Sequence, residues 1–153
     1  MTAFISGFGG VVVGALVALH VNRQQIKSTT ISTNRQAWIN SLRDEISSCI
    51  AALEVTGFSC ITQNIFSQEE KEKAILTLLG HEAKIRLLIN PYETDHKQLI
   101  EVLHKALKVS FLPKTAHETN EDAASKIKEN VGKIISISQA ILKREWQRVK
   151  SGE

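Results

Sequence analysis

From Thr2 to Val21 the chain is almost wholly apolar, TAFISGFGGVVVGALVALHV, and no Asp, Glu, Lys or Arg precedes Arg23. As a helix rising about 1.5 Å per residue, such a run reaches roughly 30 Å, the thickness of a bilayer's hydrocarbon core. It predicts a transmembrane helix over residues 1–22. A secretory signal peptide needs a basic stretch ahead of the apolar run and a small-x-small cleavage site behind it. The first is missing, and Leu19-His20-Val21-Asn22 is a poor version of the second. A buried helix of a soluble protein would be weakened by Gly7, Gly9, Gly10 and Gly14, at about 1 kcal/mol each relative to Ala, whereas glycine is common in membrane helices. Arg23, Lys27 and Arg35 follow the run and no basic residue leads it, which predicts a single pass with the N-terminus outside and the rest in the cytoplasm.

Beyond residue 22 the apolar positions recur every three or four residues, the period of amphipathic helices. Ile31, Trp38, Ile39, Leu42, Ile46, Cys49, Ile50 and Leu53 mark a long first helix, which Gly57 weakens and Phe58, Ile61, Ile65 and Phe66 extend. Thr29, Thr30, Ser32 and Thr33 form a polar interval that predicts a hinge, with Ser32, Thr33 or Asn34 capping a helix that starts near Arg35. Ser67-Gln68-Glu69-Glu70 is a capping box. It opens a helix with Ile75, Leu78, Leu79, Ile85, Leu88 and Ile89 as core positions, stopped by Asn90-Pro91. Thr94 or Asp95 caps the next, with Leu99, Ile100, Val102, Leu103 and Leu107 inside. A loop from Phe111 to Thr119, broken at Pro113, leads to a last helix from Asn120 carrying Ile127, Val131, Ile134, Ile135, Ile141, Leu142, Trp146 and Val149. No strand-like alternation of useful length occurs. The expected fold class is all-α: an N-terminal transmembrane helix (1–22), a juxtamembrane linker (23–33) and a cytoplasmic antiparallel helical bundle (34–150).

Composition narrows the function classes. A length of 153 residues suits one domain with an appendage, and a formal net charge of +3 is too small to argue for nucleic acid by itself. Two cysteines do not build a disulfide scaffold. Cys49 and Cys60 are expected as free thiols in a reducing compartment, and on one helix their separation of about 16 Å forbids a bond. No Gly-rich phosphate loop, HExxH, CxxC or GxSxG pattern is present. His20, His81, His96, His104 and His117 are scattered; His96 and His104 are spaced to share a helix face but lack a third ligand. The mixed charges of Glu69, Glu70, Lys71, Glu72 and Lys73 read as a solvated helix start. The chain reads as non-enzymatic, with no cofactor and no metal.

Within the apolar run, Ser6, Gly10, Gly14 and Ala18 recur every four residues. Such a stripe lets helix backbones approach closely in lipid, where packing drives association, and it predicts a helix-association face. His20, Asn22 and Arg23 fall at the cytoplasmic end, where they either anchor the interface or form rings at a pore mouth. In the bundle, Arg35 and Trp38 share a face with Ile39, and Arg43 lies at its edge. Trp38 is expected to anchor the core and Arg35 to pair with an acid on a neighbouring helix; a latch between span and bundle is the alternative. Lys143, Arg144, Arg148 and Lys150 form a basic set, either a solvated last turn favoured by the helix dipole or a patch for an anionic ligand. Lys97, Lys105 and Lys108 are a third basic set, read the same way.

Asn34-Arg35-Gln36-Ala37-Trp38-Ile39-Asn40-Ser41-Leu42-Arg43, then Arg86-Leu87-Leu88-Ile89-Asn90-Pro91 followed by His96 and Leu99, then Leu142-Lys143-Arg144-Glu145-Trp146-Gln147-Arg148-Val149-Lys150, resemble segments of small bacterial membrane proteins with an N-terminal span and a helical cytoplasmic domain. Some of these resemble membrane effectors of anti-phage defence systems. The resemblance implies a bacterial membrane protein that disrupts or permeabilises the membrane, and the small-residue stripe adds a homo-oligomer in the inner membrane. One helix cannot enclose a conduit, so a pore needs several copies. The expectation is therefore an ion-conducting pore gated through the cytoplasmic domain. Its partners would be the lipid bilayer, further copies of itself, and a nucleotide, oligonucleotide or protein on the cytoplasmic side. A membrane-anchored binding or scaffold protein without a pore is one alternative, and a soluble oligomeric helical protein whose N-terminus is a buried association helix is another.

Overall fold

The computed structural model describes residues 3–61, 67–111 and 119–151, with side chains at 16–22, 25–26, 29–57, 67–110 and 119–151. The described residues form four helices and no strand: α1 (Ala3–Ile61), α2 (Gln68–Leu88), α3 (Thr94–Phe111) and α4 (Asn120–Ser151). The all-α expectation holds. Among the described residues, no helix is long and apolar enough to cross a membrane.

The bundle is antiparallel, as cross-helix contacts show. Arg35 and Gly57 on α1 meet Glu145 and Ile127 on α4, so the two helices run in opposite senses. Trp38 and Glu45 meet Leu88 and His81, which sets α2 against α1 in the same way. The core stripe of α1 is Ile39, Leu42, Ile46, Cys49 and Leu53; that of α4 is Ile127, Val131, Ile134, Ser138, Ile141 and Glu145. Both alternate spacings of three and four, the pattern that keeps one seam facing a partner helix. Leu78 and Ile85 from α2 and Leu99, Leu103, Ala106 and Leu107 from α3 complete the core. Fully burying one such Leu or Ile stabilises by about 1.5–3 kcal/mol.

Helix starts follow local chemistry. At Ser67 the capping box is complete: its hydroxyl accepts from Glu70 N–H, and Glu70 accepts from Ser67 N–H. Thr119 makes a second, reciprocal box with Asp122, just ahead of the helix that opens at Asn120 as expected. Helix α3 begins at Thr94, so Glu93 rather than Thr94 or Asp95 precedes it.

Three expectations need correction. First, residues 29–33 are no hinge. Helix α1 is continuous, without a cap at Ser32, Thr33 or Asn34, and the Thr30 hydroxyl bonds back to Ile26 O at 2.8 Å. A threonine in mid-helix satisfies its hydroxyl on the preceding turn, so a polar interval need not break the helix. Second, Leu79, Ile135, Trp146 and Ile31 are exposed instead of lying in the core. Third, Gly57 does more than weaken its helix: a Cβ there would stand 3.3 Å from Ile127 Cγ2, so the glycine lets α1 and α4 close together. The expectations for Phe58, Ile61, Ile65, Phe66 and Pro113 fall outside the described residues or side chains.

The bundle occupies only the C-terminal half of α1. Buried positions begin at Ile39, while Leu16, Val17, Leu19, Val21 and Ile26 are exposed. The N-terminal half of α1 thus projects from the bundle as the same uninterrupted helix.

Candidate functional site

Where α1 leaves the bundle, its first packed turn meets the α2–α3 turn and the last turns of α4. Helix α2 ends at Leu88 because Pro91 disfavours helical geometry at Asn90 and Ile89 is already extended. The Trp38 indole N–H donates to the carbonyl of Leu88. Asn90 organises the turn: its side-chain oxygen accepts from Tyr92 N–H at 3.1 Å, and its carbonyl accepts from Glu93 N–H at 3.2 Å. His96, on the first turn of α3, is only 2% exposed and lies 6.4 Å from the Trp38 ring centroid. Its Nδ1 accepts from Asn90 N–H at 2.9 Å. Nδ1 also lies 3.2 Å from Asn90 O, and Nε2 faces the Glu93 carboxylate at 3.8 Å and Arg144 Nη2 at 3.5 Å.

Opposite, α4 supplies charge. Arg144 reaches Asp95 with Nη1, Glu93 with Nη2 and Glu145 with Nε. Burial works against its positive charge, but the carboxylates of Glu145, Asp95 and Glu93 outweigh it and hold the guanidinium above the usual arginine range. Glu145, only 6% exposed, also accepts from Arg148 at 2.8 Å and lies 3.9 Å from Arg35 Nε. Arg35, Trp38, Leu88, Ile89, Asn90, Glu93, His96, Glu145 and Arg148 line an open cleft of about 390 Å³. All three segments that carried the sequence resemblance converge on it.

The expected pairing of Arg35 with an acid on another helix is present, with Glu145. The basic set near the C-terminus does not form one patch. Arg144 and Arg148 turn inward to carboxylates, Lys143 is exposed, and the Lys150 ammonium sits 5.6 Å from the Trp146 ring centroid. Lys97, Lys105 and Lys108 are exposed along α3. His96 and His104 do not act together: His96 is buried in the turn, whereas His104 is exposed and approaches Glu82 at 4.0 Å. Ala18, His20 and Asn22 are exposed on the projecting part of α1, while the side-chain positions of Ser6, Gly10, Gly14 and Arg23 and the whole of His117 lie outside those described.

Glu93, Asp95 and His96 offer ligand atoms within 4.8 Å of one another, a grouping the sequence reading did not single out. Arg144 already supplies positive charge to both carboxylates, and the geometry suits a structural ion-pair network. A sequence signal existed only for part of the site. Asn90-Pro91 announces the turn, but the partners Asp95 and Arg144 are 49 residues apart, beyond any local pattern.

A second polar cluster lies along α1 and α2. Glu45 accepts from Lys84 at 3.0 Å and lies 2.7 Å from His81 Nδ1. The hydrogen bonds of His81 and then Lys84 hold its carboxyl below the usual range. Cys49 is fully buried beside this cluster; burial, reinforced by Glu82 and Glu45, pushes its thiol up to about 11. It is an inert core thiol and therefore no reporter of membrane sidedness. Searches with the chain find no matching protein-family model, no matching curated protein and no matching solved structure.

Proposed function

We propose that the chain is a homo-oligomeric membrane effector. Its N-terminal segment enters the bilayer and conducts ions when several copies assemble, and the helical bundle governs the conducting state in the cytoplasm. The observation that carries this reading is the continuity of α1, which joins the charge-free run to the bundle without a hinge. A rigid helix transmits a tilt or rotation of the bundle to the apolar segment, where a flexible linker would lose it. The exposure of Leu16, Val17, Leu19 and Val21 supports a role for that segment outside the bundle, against lipid or against other copies.

The cleft at the base of the projecting helix is the natural point of control. It is lined from α1, the α2–α3 turn and α4, so an occupant touches every element that holds α1 in place. An occupant shifts the conducting equilibrium only as far as it binds one state better than the other. Anti-phage defence is the setting that the sequence resemblance suggests for such an effector.

The test is reconstitution. Purified full-length protein in liposomes should release a trapped dye and carry single-channel current, and its size in mild detergent should be several copies. Replacing Gly10 and Gly14 by Phe should abolish both, and replacing Val12 and Leu16 by Phe should matter less. Membrane association without conductance would return the protein to the tethered-scaffold alternative. Absence from the membrane fraction would remove both readings.

A further inference from the structure

The outer face of α2 is apolar where a solvated helix should be polar. Leu76, Leu79 and Leu87 are 69%, 42% and 87% exposed, and Gly80 and Ala83 lie between them on the same outward side. A Cβ built on Gly80 meets nothing within 4 Å, so the middle of the stripe is open to close approach. Charges of both signs border it, with Glu69, Glu72, Lys73, Lys84 and Arg86 all exposed, which suits a protein partner and not hydrocarbon.

The stripe is also self-complementary. Glu72 and Arg86 each lie seven residues, two helical turns, from Leu79, so all three share one flank. A two-fold axis beside Leu79 that sets two α2 helices antiparallel therefore places Leu79 against its counterpart. The same axis puts Glu72 of each copy opposite Arg86 of the other, and Leu76 within one residue of the level of the small Ala83 of its neighbour. Among the described residues both charges have partners only within α2: Arg86 lies 3.6 Å from Glu82, and Glu72 accepts from Gln68 at 3.0 Å.

We propose that α2 is a homotypic interface, an antiparallel α2–α2 contact centred on Leu79 that joins bundles of neighbouring copies. One helix pair buries less than the roughly 1,200 Å² of a free-standing stable interface. The contact therefore rests on the oligomeric reading above, in which N-terminal segments held together in one membrane raise the effective concentration of the bundles.

The experiment uses the full chain in mild detergent and in liposomes. Leu79→Cys should give a disulfide-linked dimer on mild oxidation, and Lys128→Cys on the exposed face of α4 should not. Glu72→Arg and Arg86→Glu should each lower the Leu79→Cys crosslink several-fold, and the double reversal should restore it, an outcome that loss of folding in a single variant cannot mimic. An oligomer by mass photometry with no Leu79→Cys crosslink, or with no rescue in the double reversal, overturns the α2 interface while leaving the oligomer. A monomeric chain overturns both.

Discussion

The indole of Trp38 caps the C-terminus of α2 through the carbonyl of Leu88. That carbonyl is one of the last four of its helix and has no partner within it. The cap also fixes the entry of α1 into the bundle, because Trp38 packs on the core one turn above Leu42 and against the ring of His96. Trp38→Phe should keep most of the apolar contact and remove the donor. The expected loss is about 1–2 kcal/mol for an unsatisfied, half-buried carbonyl, read as a lower midpoint in urea with an unchanged slope. A wild-type midpoint would mean that water satisfies Leu88 equally well.

Arg144 neutralises carboxylates from two elements, Glu93 and Asp95 at the start of α3 and Glu145 on its own helix. Arg144→Met leaves these acids facing one another in a half-buried turn. Removing one partner from such a network costs about 2–4 kcal/mol, discounted here because a third of the arginine side chain reaches solvent. Arg144→Lys should recover only part of this, since a single ammonium cannot replace a fork reaching three carboxylates. Full stability of the lysine variant in thermal melts would contradict the bridging role.

Legibility of this structure from sequence divides along physical lines. Strictly periodic apolar stripes announced α2, α3 and α4 and their core residues, because burial of Leu78, Leu103 or Ile134 obeys the helical repeat. The box at Ser67 and the stop at Asn90-Pro91 were equally plain, being local hydrogen-bond and steric effects. What failed was non-local. Thr29 to Thr33 looked like a break because threonine and serine favour caps, yet α1 runs through them unbroken and the Thr30 hydroxyl bonds back to Ile26 O. Leu79 looked like core because the pattern cannot say which of two apolar flanks meets another helix. In the cleft, Trp38 and the Arg35 pairing were foreseen. Glu93 and Asp95 were not, since their partner Arg144 lies on another helix, and Glu145 was not, since the Arg35 it meets comes from α1.

Ser138 occupies a buried seam position of α4, and its hydroxyl has no hydrogen-bond partner among the described residues. An unsatisfied hydroxyl in an apolar seam is destabilising by about 1–3 kcal/mol. Ser138→Ala removes it, changes volume little and improves helix propensity, so it should stabilise by about 1 kcal/mol. Equilibrium denaturation measures this, and a neutral or lower midpoint would show that the hydroxyl does have a partner in solution.

Glu45 gives the bundle an acid-sensitive contact. The bonds from His81 and Lys84 hold its folded pKa below the unfolded value. A depressed carboxyl contributes stability at pH above the unfolded value, and that contribution is lost as pH falls through the folded one. Stability should therefore decline as pH drops below about 4.3, the ordinary value for Glu. Glu45→Gln should be less stable than wild type at neutral pH and should show a shallower decline in that acid range. Parallel pH profiles for the two proteins would remove Glu45 as a contributor.

The continuity of α1 yields the sharpest functional test. Thr30 lies outside the packed part of the bundle, which begins at Ile39, and its hydroxyl and helical bonds tie it only to its own helix. Proline there deletes a backbone donor and clashes with the preceding turn, kinking the helix. Thr30→Pro should leave the cooperative unfolding of the bundle within about 0.5 kcal/mol of wild type, because no core contact changes. It should nevertheless uncouple the bundle from the apolar segment. In liposomes the variant should still associate with the membrane, while the difference between resting and conducting states disappears. Thr30→Ala, which keeps the helix straight, is the control and should behave as wild type. Normal gating in the proline variant would show that α1 does not act as a rigid lever, and would leave the projecting helix as a tether.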